Sequence, residues 1–194
     1  MNKLHLGCGN LKLIGWVNVD IKYGSDIKHD IRKLDFVTDD SVEEIYISHC
    51  LEHLSRHEIH DVLKEYNRVL KNGGSLRIAV PDLDAIFSSG SSIEMLTGLL
   101  YGGQTNEYDY HKIGFNFDIL KELLESHGFE QVTRYDPWEF LGPSIDDYSK
   151  SYIPHMDRTG KLMSLNVTCK KNKSLDIHLT DRVRVFLGMK KFYK

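Results

Sequence analysis

The first twenty positions constrain this chain most. Lys3-Leu-His-Leu-Gly-Cys-Gly-Asn10 reads as a short strand running into a Gly-x-Gly turn, and Gly15-Trp-Val-Asn-Val-Asp20 reads as a second strand ending in a carboxylate. Glycine carries no Cβ, so a backbone built on Gly7, Cys8 and Gly9 can approach a ligand closely. A carboxylate at the end of the following strand, here Asp20, can accept both hydroxyls of a ribose. The pattern points to a nucleoside-bearing cofactor lying across the carboxyl ends of parallel strands.

The spacing argues against a dinucleotide. That fingerprint is G-x-G-x-x-G opening a helix, with its acid about 20 residues further on. Here position 12 is Lys, and Asp20 follows too soon for a full crossover helix. A pyrophosphate needs the third glycine for close helix packing, and a cofactor without phosphates does not. S-adenosylmethionine (SAM) has a ribose and an adenine and no phosphate. A bland turn is the competing reading of the glycine pair.

The chain of 194 residues is the length of one domain. A domain of that size buries roughly 70% of its extended-chain surface and needs no staples. A net charge of −3 gives no reason to expect a nucleic-acid partner. Cys8, Cys50 and Cys169 are odd in number and lack metal-type spacing, which fits a reducing, cytoplasmic setting. Neither an apolar leader nor a membrane-spanning run of about 20 apolar residues is expected.

Short apolar runs alternate with amphipathic stretches, the pattern of an α/β sheet. Strands are expected at 3–6, 16–20, 44–48, 75–80, 129–135 and 163–169, with a weak one near 26–29. The clearest helix starts at Ser55, where Ser55 and Glu58 form a capping-box pattern. Ile59, Val62, Leu63, Tyr66, Val69 and Leu70 then share one face, and Asn72-Gly73-Gly74 is expected to end the helix. A second helix is expected at about 117–127, ending at Gly128. Residues 81–116 and 136–160 read as irregular segments able to roof a pocket.

Several segments now agree with one family. Leu6-Gly-Cys-Gly9 looks like its glycine-rich motif, and Asp30-Ile-Arg-Lys-Leu-Asp-Phe36 followed by Asp40-Ser-Val-Glu-Glu-Ile-Tyr-Ile47 looks like its adenine-binding acid leading into the fourth strand. Ser48-His-Cys-Leu-Glu-His53 is similar to the stretch that follows. Arg68-Val-Leu-Lys-Asn-Gly-Gly-Ser-Leu-Arg-Ile-Ala-Val-Pro81 and the segment from Tyr110-His111 to Gly128-Phe129 complete the series. The chain resembles class I SAM-dependent methyltransferases of the small type 11 kind over about residues 3–135. The Gly15–Asp20 and Gly102–His111 stretches look like a subgroup associated with surface-polysaccharide biosynthesis.

The resemblance implies a Rossmann-like α/β fold, a seven-stranded, mostly parallel sheet whose last strand is antiparallel. It implies SAM bound by Gly7, Cys8 and Gly9 under the methionine and ribose, by Asp20 at the ribose hydroxyls, and by Asp30 with the backbone of Ile31 at the adenine. The backbone near Ser48 and His49 would approach the sulfonium end, and His49 and His53 would either touch the cofactor or orient the loop. Two positions depart from the family pattern. His5 stands where an acid is usual, and Leu11 stands where a third glycine is frequent.

Methyl transfer to a hydroxyl needs a proton acceptor. His111 and Asp82 are the candidates, against the alternatives of a structural hydrogen bond for His111 and a helix or turn cap for Asp82. No metal site is expected, the alternative being a Mg²⁺ that assists sugar binding through Asp82 or Asp84. His53, His57 and His60 share helical spacing but lack a completing carboxylate or thiolate. The methyltransferase domain is expected at 1–169, followed by a basic tail at 170–194 with eight Lys or Arg against two Asp. That tail reads either as a peripheral membrane contact or as a helix packed on the domain. The function expected is methyl transfer from SAM to a small-molecule or glycan acceptor, with an O-methyltransferase favoured. The alternatives are a catalytically silent scaffold in a glycan-assembly complex and a nucleotide-cofactor oxidoreductase.

Overall fold

A computed structural model describes residues 2–22, 24–172 and 179–189. The chain begins with β1 (Lys3–Leu6), β2 (Val17–Asp20), β3 (Ile27–Lys28) and β4 (Val42–Ser48). Helix α1 (Ile59–Val69) leads directly into β5 (Leu70–Pro81), followed by α2 (Leu83–Phe87), α3 (Ile93–Tyr101) and α4 (Phe117–Glu125). Then come β6 (Phe129–Arg134), α5 (Pro137–Leu141), the short pair β7 (Tyr152–Ile153) and β8 (Lys161–Leu162), β9 (Ser164–Lys171) and α6 (Asp181–Phe186).

Seven strands form one sheet in the order β3-β2-β1-β4-β5-β9-β6. The pairs from β3 to β5 are parallel. β9 inserts between β5 and β6, antiparallel to both. All the strands read from the sequence are present, and the last runs antiparallel as the resemblance implies. Central strands are apolar on both faces because both are covered: Val42, Ile45, Tyr46 and Ile47 of β4 are all buried. Between β1 and β2 there is no helix. Residues 7–16 cross over as turns, with Gly7 N–H donating to Val19 O at 2.8 Å.

α1 presents Ile59, Val62, Leu63, Tyr66 and Val69 to the main core. Each such fully buried side chain contributes about 1.5–3 kcal/mol. Half of the expected capping box forms: Ser55 N–H donates to Glu58 Oε2 at 2.8 Å. The helix ends earlier than its glycines suggest. Val42 pairs with Leu70, so backbone pairing to β4 claims the chain at Leu70. Asn72-Gly73-Gly74 becomes an irregularity in the strand, with Gly73 at φ +75°. α4 behaves as read: the Asn116 side chain accepts from Ile119 N–H, and Gly128 follows the helix at φ +80°.

Three short α-helices stand in the segments expected to be irregular, α2 and α3 within 81–116 and α5 within 136–160. Ile86, Leu96 and Met163 form a second small core with Leu83, Leu99 and Ile153. This roof lies beyond the ends of β5 and β9. The boundary expected at 169/170 falls inside β9. Val183 and Leu187 of the expected tail are buried in the main core, and Arg182 pairs with Glu122 of α4 at 2.6 Å. Lys173 and Lys190–Lys194 lie outside the described residues. Among the described residues no helix is long and apolar enough to cross a membrane.

Candidate active site

The glycine turn and Asp20 form one unit. Asp20 is nearly buried at the end of β2, its Oδ2 accepting from Gly9 N–H at 2.8 Å and its Oδ1 from Lys22 N–H at 2.8 Å. A carboxylate oxygen accepts more than one bond, so capacity for hydroxyl donors remains. Gly9 has φ +54°, and a Cβ built on it meets no protein atom within 4 Å. Gly7, at φ +66°, is different: its Cβ would fall 2.2 Å from Cys50 Sγ. Gly7 therefore serves packing between the turn and the end of β4, while Gly9 borders open space. Burial, helped by Asp20, pushes the Cys8 thiol up to about 11. At neutral pH Cys8 is a packing residue and not a nucleophile.

Asp30 forms a two-oxygen ion pair with Arg32, whose other nitrogen bonds Glu58 Oε1 at 2.7 Å. The Arg32 bonds hold the Asp30 carboxyl below its usual range. Ile31 packs against the main core, within van der Waals reach of the Gly7 position. His5 does not replace the acid usual at its position by charge. It is buried, stacked on Tyr46 at 5.2 Å and bonded to Asn18, and burial lowers its pKa.

The end of β4 gathers the polar groups. Ser48 Oγ donates to Asp147 Oδ1 at 2.8 Å, and Tyr46 Oη donates to the same oxygen at 2.7 Å. His49 takes the left-handed conformation, φ +48°, which is costly for a residue with a Cβ. Its Nε2 meets Ser164 Oγ at 3.0 Å, and its Nδ1 lies 3.2 Å from Glu52 Oε1. Glu52 is fully buried. Burial pushes its carboxyl up, but His49 and His53 outweigh that and leave it below the usual value.

The roof returns to this point by backbone pairing. Lys112 N–H donates to Glu52 O at 2.7 Å, and His111 N–H to Tyr101 O at 3.1 Å. That pairing sets the His111 ring at 4.8 Å from the His53 ring and its Nε2 at 3.9 Å from Glu52 Oε1. His111 Nδ1 donates to Leu99 O at 3.0 Å. Burial holds the His111 pKa below the ordinary histidine value despite the opposing pull of Glu52. Asp82 is otherwise engaged: it caps α2, accepting from Asp84 and Ala85 N–H, and pairs with Arg134 at 3.1 Å.

The structure thus brings Gly7–Gly9, Asp20, Ser48, His49, His53 and His111 to the carboxyl end of the parallel strands. Asp82 is committed to a cap and Asp30 to Arg32. Two buried carboxylates, Glu52 and Asp147, were missed by sequence reasoning. Glu52 sits inside a quoted motif, flanked by His49 and His53, and that flanking was its only signal. Asp147 carried none. Two surface concavities lie elsewhere, one lined by Asp136, Trp138 and Arg158, the other by Phe87, Asn116, Arg182 and Phe186.

Residues 4–78 match a family profile described as a methyltransferase domain. No curated protein matches the sequence significantly. Among solved structures, a SAM-dependent methyltransferase from Archaeoglobus fulgidus is 19% identical, with 88% of this chain and 86% of that one covered and a TM-score of 0.56. A SAM-dependent methyltransferase from Methanosarcina mazei is 15% identical over 89% and 93% of the two chains, TM-score 0.54. A chain of the Haloferax volcanii complex between the Trm112 methyltransferase activator and a methyltransferase is 15% identical over 90% and 83%, TM-score 0.55. At these identities the likeness shows the fold, the Rossmann-like fold of class I methyltransferases. The profile match spans β1 to most of β5, the part of the chain that carries the glycine turn and Asp20.

Proposed function

We propose that this chain methylates a hydroxyl of a small or carbohydrate-linked acceptor, as in glycan or lipid-linked precursor assembly. The observation that carries the SAM reading is the Gly9–Asp20 unit. The backbone N–H of Gly9, a left-handed glycine whose Cβ direction is open, grips an acid at the end of β2. It lies at the carboxyl ends of β1 and β2, beside β4, where the strand order reverses. A nucleoside hydroxyl pair suits that acid, and no phosphate cradle is needed. When bound, SAM supplies a sulfonium methyl whose departure needs little assistance.

The work left to the protein is positioning and proton removal. Asp20 and the glycine turn would hold the cofactor, with Ser48 and His49 near its reactive end. His111 spends its Nδ1–H on Leu99 O, so Nε2 is the nitrogen turned toward Glu52 and free to interact. The hydroxyl preference rests on this histidine–carboxylate group, and the carbohydrate preference on the sequence resemblance. Calorimetry with SAM and with NAD, followed by transfer of labelled methyl to a panel of nucleotide sugars, tests both levels. Binding of NAD without SAM overturns the cofactor assignment. SAM binding with labelled product only on amines overturns the hydroxyl assignment.

A further inference from the structure

Glu52, His53 and His111 pose a problem that their own contacts do not solve. Glu52 is fully buried, and neither carboxylate oxygen has a hydrogen-bond partner among the described residues. His49 Nδ1 is 3.2 Å from Oε1 but not aligned as a hydrogen bond. A buried carboxylate without partners is costly. Neither His53 nor His111 relieves it by donation. His111 Nδ1 donates to Leu99 O at 3.0 Å, and His53 Nδ1 donates to Tyr110 O at 3.2 Å, because a carbonyl oxygen can only accept. Each imidazole therefore keeps Nε2 for another role. One ligand atom from each of the three residues lies within 4.8 Å of the others.

We propose that Glu52, His53 and His111 form a site for a divalent first-row metal ion. Two imidazoles and one carboxylate are a donor set suited to zinc, manganese or iron, with positions left open for substrate. The two Nδ1–H···O=C bonds are the outer contacts that orient metal-binding histidines and leave Nε2 as the ligand. Metal–ligand bonds of about 2.0–2.2 Å need donor atoms roughly 3.5 Å apart. The donor atoms, within 4.8 Å of one another, need to draw in by only about 1 Å to share an ion. The site is built by tertiary structure: Glu52 and His53 lie in the turn after β4, and His111 is delivered by the Lys112–Glu52 backbone bond. The His53–His57–His60 spacing weighed in the sequence is a different set.

The role of the ion rests on the methyltransferase reading; the site does not. The turn carrying Glu52 touches the glycine turn through Cys50, whose Sγ contacts Gly7 O at 3.5 Å. With His111 Nε2 on the ion, the ion and not the imidazole would prepare the acceptor, acidifying a hydroxyl bound in an open position. The O–H proton leaves to water and the oxygen bonds the methyl carbon. The carbon–sulfur bond breaks with its electron pair remaining on sulfur.

The test is calorimetric titration of Zn²⁺ and Mn²⁺ into the untagged full chain, stripped of metal, with melting curves beside it. One ion per chain is expected, with a raised melting temperature for at least one of the two metals. His53→Ala and His111→Ala should each weaken binding at least tenfold, while His57→Ala, on the exposed side of the same segment, leaves it unchanged. Should His111→Ala fail to fold, His53→Ala decides, since His53 is partly exposed and holds only Tyr110 O and a ring contact. No stoichiometric binding by the full chain, or binding unaffected by His53→Ala, overturns the proposal. SAM titration of the same stripped chain keeps the two readings separate. SAM bound without metal sites sinks the metal site alone, and metal bound without SAM sinks the methyltransferase reading alone.

Discussion

At the scale of single residues, Asp20 and Gly9 make the sharpest claims. Hydrogen bonds to a charged group are worth roughly 1.5–3 kcal/mol each. Asp20→Ala should weaken SAM binding at least about tenfold by calorimetry, with the circular dichroism spectrum unchanged. Unchanged affinity in the folded variant removes Asp20 from the cofactor. Gly9→Val separates binding from folding, because its Cβ would meet no protein atom within 4 Å. The left-handed φ costs a side chain about 1–2 kcal/mol, so the variant should fold, lower in stability, and lose SAM binding. Gly7→Val cannot serve the same purpose. Its Cβ collides with Cys50, so it should fail first by unfolding.

At the scale of elements, two packing arrangements have measurable consequences. His127, at the end of α4, is buried between α1 and α4: its Nδ1 donates to Leu123 O, and its Nε2 accepts from His60 Nδ1 at 2.7 Å. Burial drops its pKa from 6.5 to about 4. The unfolded chain therefore binds the extra proton first as the pH falls. Stability is full above about pH 6.5 and is lost on descent toward about 4, by up to about 1.4 kcal/mol per pH unit from this group. His127→Gln should flatten that limb of the melting temperature against pH; an unaltered slope assigns the acid sensitivity elsewhere. The second arrangement is α6. Val183 and Leu187 are buried in the main core, and burial of each is worth about 1.5–3 kcal/mol. Ending the chain at Asn172 should cost several kcal/mol in denaturant unfolding. A truncated chain of native stability would make the segment a free basic tail, as the membrane reading has it.

For the whole molecule, ligand binding to the native sheet must raise its stability by mass action. S-adenosylhomocysteine should raise the melting temperature in proportion to the logarithm of its concentration, and NAD should not. A shift with NAD alone would return the chain to the oxidoreductase reading. What the sequence determined by itself is local and periodic. The positions of the strands along the chain, the faces of α1 and α4, the glycine turn and Asp20 are properties of neighbouring residues, visible as alternation, helical spacing and turn chemistry. Even the short β1–β2 crossing was legible, because too few residues separate Gly9 from Asp20 for a helix. What the tertiary structure decided is convergence. α1 stops at Val69 because β4 pairs with Leu70, overriding the glycines after it. Asp82 is a cap because Arg134 and the start of α2 reach it, and Glu52 becomes the centre of a histidine cluster because the backbone at Lys112 bonds to its carbonyl. No local period encodes a hydrogen bond between distant segments. A buried carboxylate between two histidines therefore becomes a site only when the sheet and its roof close over it.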